Sequence, residues 1–324
     1  MGPTASGKTS FSIKIALRLC SGQAKKEFGI NGAEIISADS RQVYKGMDIG
    51  TGKVPISYER SESTKSSIPP FRKKGGVAIY YKGIRHHLLD VASPKKQFTA
   101  AQYKKLAQKA IKKIHSHGKI PIICGGTGFY IQTITDNIAI PEVKPDAKLR
   151  AKLEKKSAKE LFNQLKKLDP RRAKNIDGNN RRRLIRALEI VIKSGKKVPI
   201  LKSEPKYEAL IIGIKRNAKE LKELIKTRLF KRLKQGMVKE IINLKKSELS
   251  WKRLEDFGLE YRYVAYYLQN KLSYNEMVGK LQKEIEHYAK RQMTWFKKDK
   301  RIRWVKNQKQ AEKLVKEFFS RCQK

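Results

Sequence analysis

The sequence predicts an α/β fold, a parallel-sheet core interrupted by a mostly helical insertion, on three observations. Short apolar runs alternate with helix-like stretches over about the first 140 residues, the rhythm of β-α-β units. The string GPTASGKT at residues 2–9 completes a G-x-x-x-x-G-K-[ST] loop and runs directly into the helix-like SFSIKIALRL. From Pro145 to about Gly195 the pattern becomes wholly helical and strongly basic. The expected organisation is a P-loop NTPase-like core made of residues 1–140 and 205–324, with a helical insertion at 141–204.

Taken in order, the loop at the start is the surest element. Such a loop ordinarily follows a buried strand, yet it begins here at the second residue. The first strand of the core is therefore expected to be missing from this chain. AEIISAD at 33–39 reads as a buried strand that ends in an acid, and residues 57–76, with their serines, paired prolines and RKKGG, read as a long loop. A helix is expected over TAAQYKKLAQKAIKKIHSHG, 99–118, and a second buried strand over IPIICGG, 120–126. The insertion contributes DAKLRAKLEKK, AKELFNQLKKL and RRRLIRALEIVIKSG in succession. EALIIGI at 208–214 restores a strand, helices continue to about residue 298, and IRWV at 302–305 reads as the last strand. The closing KNQKQAEKLVKEFFSRCQK reads as a short solvated helix.

Composition narrows the partners. The 324 residues hold 75 Lys and Arg against 30 Asp and Glu, a formal net charge of +45. That excess favours phosphate-rich partners through counterion release, although a lysine-rich coding bias would raise it as well. Cys20, Cys124 and Cys322 are far apart and form no CxxC pair, which points away from a disulfide framework or a zinc site. No stretch has the roughly 18 apolar residues of a membrane span, so a cytoplasmic protein is expected, and a monomer.

The candidate chemistry lies at strand ends, where ligands bind in parallel α/β sheets. In the first loop, Gly2, Thr4, Ala5, Ser6 and Gly7 let backbone amides wrap a diphosphate. Lys8 neutralises its oxygens, and Thr9 is placed to hold Mg2+. Asp39 follows the first buried run and suits a general base or a water-mediated magnesium ligand; a helix cap is the plainer alternative. Thr127, among Gly125, Gly126 and Gly128, can donate to a leaving pyrophosphate. A kinase would end that strand in a magnesium-binding aspartate. His87 and Asp90, in HHLLDVASP, are read as packing the same rim. Arg182, Arg183 and Arg186 share a helix face as a cationic stripe for phosphate contacts, or as a solvated face. Arg228 and Arg232 lie one helical turn apart, and either one or the other is the candidate pyrophosphate clamp, while Trp295 in AKRQMTWFK suits an unstacked base or the core.

Together the blocks GPTASGKT, SADSRQVYKGMDIGTGK, HHLLDV, GGTGFY, DPRRAKNIDGNNRRRLIRALEI, SGK, GLEYR and AKRQMTWF resemble the tRNA dimethylallyltransferases, or tRNA isopentenyltransferases, of bacterial type. The resemblance runs from the first loop to within about 30 residues of the end. It implies transfer of a dimethylallyl group from dimethylallyl diphosphate to the exocyclic N6 amine of adenosine 37 in tRNAs that read codons beginning with U. It further implies Asp39 as general base, Thr127 on the pyrophosphate bridging oxygen, and residues 4–9 as the diphosphate loop. Asp39, Ser40, Arg41, Gln42, Arg150, Arg182, Arg183, Leu184, Ile185 and Arg186 match stretches that contact tRNA. Where many members carry two arginines four apart, this chain has Leu224 and then Arg228, so Arg228 is taken as the clamp. A small-molecule kinase and a non-catalytic RNA-binding protein are the competing readings.

Overall fold

Residues 1–55, 78–141, 143–200 and 203–322 are described by a computed structural model. The loop read at 57–76 falls outside them. The first unit begins with α1 (Lys8–Leu19), α2 (Gly22–Phe28) and the strand β1 (Ala33–Ser37). It continues through β2 (Ile79–Tyr81), β3 (Ile84–His87), α3 (Ala100–His115), β4 (Ile120–Cys124) and α4 (Gly128–Thr135). Next come α5 (Ala147–Leu153), α6 (Ala158–Leu168), α7 (Pro170–Lys174) and α8 (Arg181–Ser194). The chain then forms β5 (Ile212–Ile214), α9 (Ala218–Lys234), α10 (Met237–Lys246), α11 (Trp251–Phe257) and α12 (Leu259–Leu268). It ends with the long α13 (Tyr274–Phe296), β6 (Arg303–Val305) and α14 (Gln308–Cys322).

β1 is buried at every residue, as a central strand covered on both faces must be. It pairs in parallel with β3 on one side and β4 on the other, in the sheet order β2-β3-β1-β4. The ends of β1 and β4 are level, Ser37 opposite Cys124, and this brings the turns after both strands to one place. The fold is thus α/β with a small, mainly parallel sheet. β2 departs from the parallel pattern: it forms an antiparallel hairpin with β3 around Lys82 and Gly83, both at positive φ. HHLLDV, read as rim, begins as part of β3.

β5 and β6 pair in parallel with each other, and each is shorter than the apolar run that foretold it. No strand precedes the first loop among the described residues. Met1 itself lies along β5, its amino group donating to Ile212 O at 2.5 Å and its carbonyl accepting from Ile214 N–H at 2.9 Å.

Helix starts follow local chemistry. Thr99 with Gln102, Ser157 with Glu160 and Ser273 with Glu276 are complete capping boxes that open α3, α6 and α13. α3 and α4 then cover one face of the sheet with Tyr103, Ala107, Ile111, Ile114, Tyr130 and Ile134, packed on Ile36 of β1. Ile13, Ala16 and Leu19 of α1 cover the other with Ile35. Val315 and Phe319 of α14 pack on that second cluster, and the Phe319 ring lies 5.4 Å from Phe28. The closing helix is therefore half seated in the core, a correction to its reading as solvated. A separate apolar cluster joins Val43, Tyr44 and Met47 to α9–α13 through Ile225, Leu229, Ile241, Tyr261, Leu281 and Ile285.

The chain divides into two compact units, Met1–Thr135 with Tyr207–Lys324, and Asp136–Lys206. The second compares with the 141–204 expected from the sequence pattern. Its own core unites Leu153, Leu161, Leu165, Leu184, Leu188 and Val191.

Candidate active site

A cleft opens at the carboxyl ends of β1 and β4, lined by residues 4, 5 and 7–10 of the first loop and the start of α1, by Asp39, Gln42, Thr51 and Gly52, by Cys124–Gly126, and by Arg228, Tyr288 and Gln292. Every lining residue belongs to the sheet-bearing unit.

The first wall is the loop GPTASGKT. Ser6 N–H donates back to Pro3 O at 3.3 Å, and both Ala5 (φ 61°) and Gly7 (φ 88°) are left-handed. Glycine takes that shape freely, whereas at Ala5 the Cβ costs roughly 1–2 kcal/mol. α1 starts at Gly7 without a side-chain cap, so the amides of Lys8, Thr9 and Ser10 have no intrahelical acceptor, an arrangement suited to an anion. Lys8 Nζ donates to Pro3 O at 2.6 Å within its own loop. Burial above all, with Arg228 acting in the same sense, lowers the Lys8 ammonium to about 8.

The second wall follows β1. Asp39 Oδ1 accepts from the Arg41 N–H at 2.8 Å and the Gln42 N–H at 3.3 Å. Residues 40–43 form a turn and not a helix, so the carboxylate holds a turn with one oxygen. Asp39 Oδ2 has no protein hydrogen bond among the described residues, and Asp39 is one of the residues lining the cleft. Gln42 stiffens this turn, accepting from Ser37 Oγ at 3.0 Å and donating to Gly52 O at 3.2 Å. Arg41 stacks its guanidinium 5.6 Å from the Phe257 ring centroid.

The third wall is the turn after β4. Thr127 Oγ1 accepts from Ser40 N–H at 3.0 Å, and Thr127 N–H donates to Ala38 O at 3.1 Å. The threonine thus ties the two strand-end turns together and keeps its hydroxyl proton for another acceptor, but it is not itself among the residues lining the cleft.

α9 and α13 supply the rest. Arg228 donates to Thr4 Oγ1 at 2.9 Å, and burial followed by repulsion from Arg232 lowers its guanidinium to about 10, still a cation at neutral pH. Arg232 is instead buried, donating to Glu260 Oε1 at 2.7 Å and Gly50 O at 2.9 Å. Of the two arginines, Arg228 faces the cleft. Tyr288 and Gln292 lie one turn apart on α13, and sequence reasoning passed over both. Their signal was present: they flank the apolar stripe Leu281, Ile285, Ala289 of the same helix. Phe296 is core and Trp295 is 41% exposed. His87 pairs with Glu34 at 2.6 Å and Asp90 with Lys53 at 2.6 Å, as rim packing requires.

In the helical unit the basic stripe divides. Arg182 and Arg183 are exposed. Leu184 (0% exposed) and Ile185 (8%) are core, which corrects their placement on a tRNA-contacting face: the 3.6-residue period turns them inward. Arg150 grips the buried Glu189 through both oxygens, at 2.8 and 2.7 Å. Arg186 donates to Glu189 Oε2 and to Val143 O.

Among the described residues no group of three or more His, Cys, Asp or Glu is arranged for a metal. The oxygens of Thr9 and Asp39 share the cleft, which suits a hard cation that completes its shell from a ligand's phosphates and water. Among the described residues no helix is long and apolar enough to cross a membrane.

A family model described as IPP transferase matches residues 76–299. A tRNA dimethylallyltransferase 1 of Syntrophus aciditrophicus is 37% identical over 310 residues, covering 94% of this chain and 92% of the relative. The chain belongs to the IPP transferase family. A tRNA dimethylallyltransferase of Acetivibrio thermocellus is 36% identical to this IPP transferase over 327 residues, covering 98% and 94% of the two chains. Its fold is similar to the crystal structure of the full-length tRNA isopentenylpyrophosphate transferase of Bacillus halodurans, with a TM-score of 0.65, 28% identity and coverage of 98% and 93%. It is also similar to a eukaryotic dimethylallyltransferase solved acting on tRNA, with a TM-score of 0.67, 27% identity and coverage of 91% and 68%.

Proposed function

We propose that this IPP transferase moves a dimethylallyl group from dimethylallyl diphosphate to N6 of adenosine 37, beside the anticodon of tRNAs reading U-starting codons, in the cytoplasm and as a monomer. The observation that carries this reading is the Asp39 carboxylate on the same cleft as the diphosphate loop, with Gly125 and Gly126, not an acid, at the end of β4. The donor diphosphate sits on the amides of residues 7–10 and between Lys8 and Arg228. Its allylic carbon then points away from the loop, toward Asp39. The adenine amine attacks that carbon, a C–N bond forms, and the C–O bond to diphosphate breaks. Asp39 takes the amine proton through the oxygen its turn leaves open, and the diphosphate leaves with the bonding electrons. Thr127 steadies the departing bridging oxygen through its remaining hydroxyl proton. When bound, Mg2+ neutralises diphosphate charge, with the Thr9 hydroxyl as its protein ligand.

An adenine within a stacked loop must be drawn out to reach such a cleft. Exposed Arg182 and Arg183 serve as phosphate contacts for the tRNA, and Ser40 and Arg41, beside Asp39 in sequence, contact it around the reacting base. The test is incubation with radiolabelled dimethylallyl diphosphate and tRNA. Label recovered on N6 of adenosine supports the reading, and phosphoryl transfer from ATP in its place sinks it.

A further inference from the structure

Gln292 is an amide in a place built for an apolar side chain. It is 6% exposed and stands on α13 next to Ala289, which packs with Leu281 and Ile285 into the largest apolar cluster. Phe296, one turn further on, is seated in another. α13 is therefore held without it. Burying an amide there is unfavourable unless both its ends are paired.

Both are paired, and both partners are main-chain groups of the cleft. Oε1 accepts from Thr4 N–H at 2.7 Å, and Nε2 donates to Gly126 O at 2.8 Å. A reversed amide would set donor against donor, so the partners fix its orientation. Gly126 must be glycine for this, since a Cβ there would collide with Gln292 Nε2. From Thr4 the contacts run to Arg228 and the diphosphate loop. From Gly126 they run through Thr127 to Ser40, the neighbour of Asp39.

We infer that Gln292 is a positioning residue for the transfer reaction. It sets the separation between the loop that holds the donor and the two turns that hold Asp39 and Thr127, and so the distance between allylic carbon and attacking amine. The inference rests on the prenyl-transfer reading above. A clamp of this kind is felt in the rate of the chemical step, because displacement by about 1 Å is enough to lose roughly a hundredfold.

The experiment compares wild type with Gln292→Met, which removes both hydrogen bonds at similar volume, and Gln292→Glu, which keeps the acceptor and removes the donor. Single-turnover transfer is measured at saturating dimethylallyl diphosphate and tRNA, together with tRNA affinity and the thermal midpoint. The expected result is a rate about a hundredfold lower in Gln292→Met, a smaller loss in Gln292→Glu, and tRNA affinity within about twofold of wild type. A merely structural role predicts instead a lowered midpoint with an unchanged rate per folded molecule, and that result in either variant overturns the inference. Wild type that transfers no prenyl group overturns the reading beneath it as well. Active wild type with equally active variants overturns only the role of Gln292.

Discussion

The cleft of the sheet-bearing unit holds its cations against neutral oxygens, Lys8 on Pro3 O and Arg228 on Thr4 Oγ1. The helical unit holds Arg150 and Arg186 against a carboxylate, Glu189. In the first case the two cations form no salt bridge among the described residues and feel only the longer-range attraction of Asp39, and for Arg228 of Glu260, so an anionic ligand still relieves them. In the second it is neutralised within the protein and serves the core. An arginine count does not separate these two uses. The identity of the acceptor does.

The largest effect is expected at the one carboxylate that lines the cleft beside Lys8 and Arg228. Asp39→Asn preserves the turn's hydrogen bonds but cannot take a proton, and transfer should fall by about 10²–10⁴-fold with tRNA affinity retained in a filter-binding assay. Equal activity would remove Asp39 from the chemistry and leave it a turn cap. Glu189→Leu tests the other side of the comparison. It strands two partly buried arginines, and chemical denaturation should show the helical unit weakened by about 3–5 kcal/mol. Arg228→Met should lower kcat/KM for the donor by about 10²–10³-fold while the midpoint stays near wild type. Arg232→Met, which leaves Glu260 unpaired, should act through the midpoint instead.

pH should divide the two regions in the same way. Lys8 is charged below about 8 and neutral above it. Donor affinity should thus hold to that point and weaken by up to about tenfold for each further pH unit, as equilibrium titration would show. Burial pushes the Glu189 carboxyl up, but hydrogen bonds from Arg150, the Asp146 N–H and Arg186 outweigh it and hold the group below its ordinary 4.5. Its stabilising contribution is present above that value and lost as pH falls through the lowered one. Acid should therefore loosen the helical unit, whereas alkali should weaken donor binding in the cleft without loosening the fold. The smallest effect belongs to the exposed Arg183: Arg183→Ala should weaken tRNA binding a few-fold and reduce the salt slope by about 1.

The cleft was legible where backbone shape dictates residue type. Glycines and Lys8 in GPTASGKT, the acid after AEIIS and the glycines after IPIIC all mark strand-end turns that few other residues could form. Leu184 and Ile185 were misplaced because a basic block was carried over whole, although the spacing of Leu184, Leu188 and Val191 already marks an inward face. The β2–β3 hairpin had its own signal in Gly83, a residue free to take positive φ. Arg228 and Arg232 were inseparable for a different reason: which one meets Glu260 depends on α12, and no local pattern reports a partner 28 residues away. Gln292 lay hidden similarly, its partners 166 and 288 positions distant.

Those long separations have a consequence during synthesis. The loop around Thr4 is made well before α13, and the amide that braces it lies 288 residues later. At about 5–20 residues per second on the ribosome, the loop waits some 15–60 s before α13 can reach it. No nascent fragment short of α13 can hold a braced loop against the Asp39 turn. A growing chain therefore keeps this loop unbraced until α13 has been made.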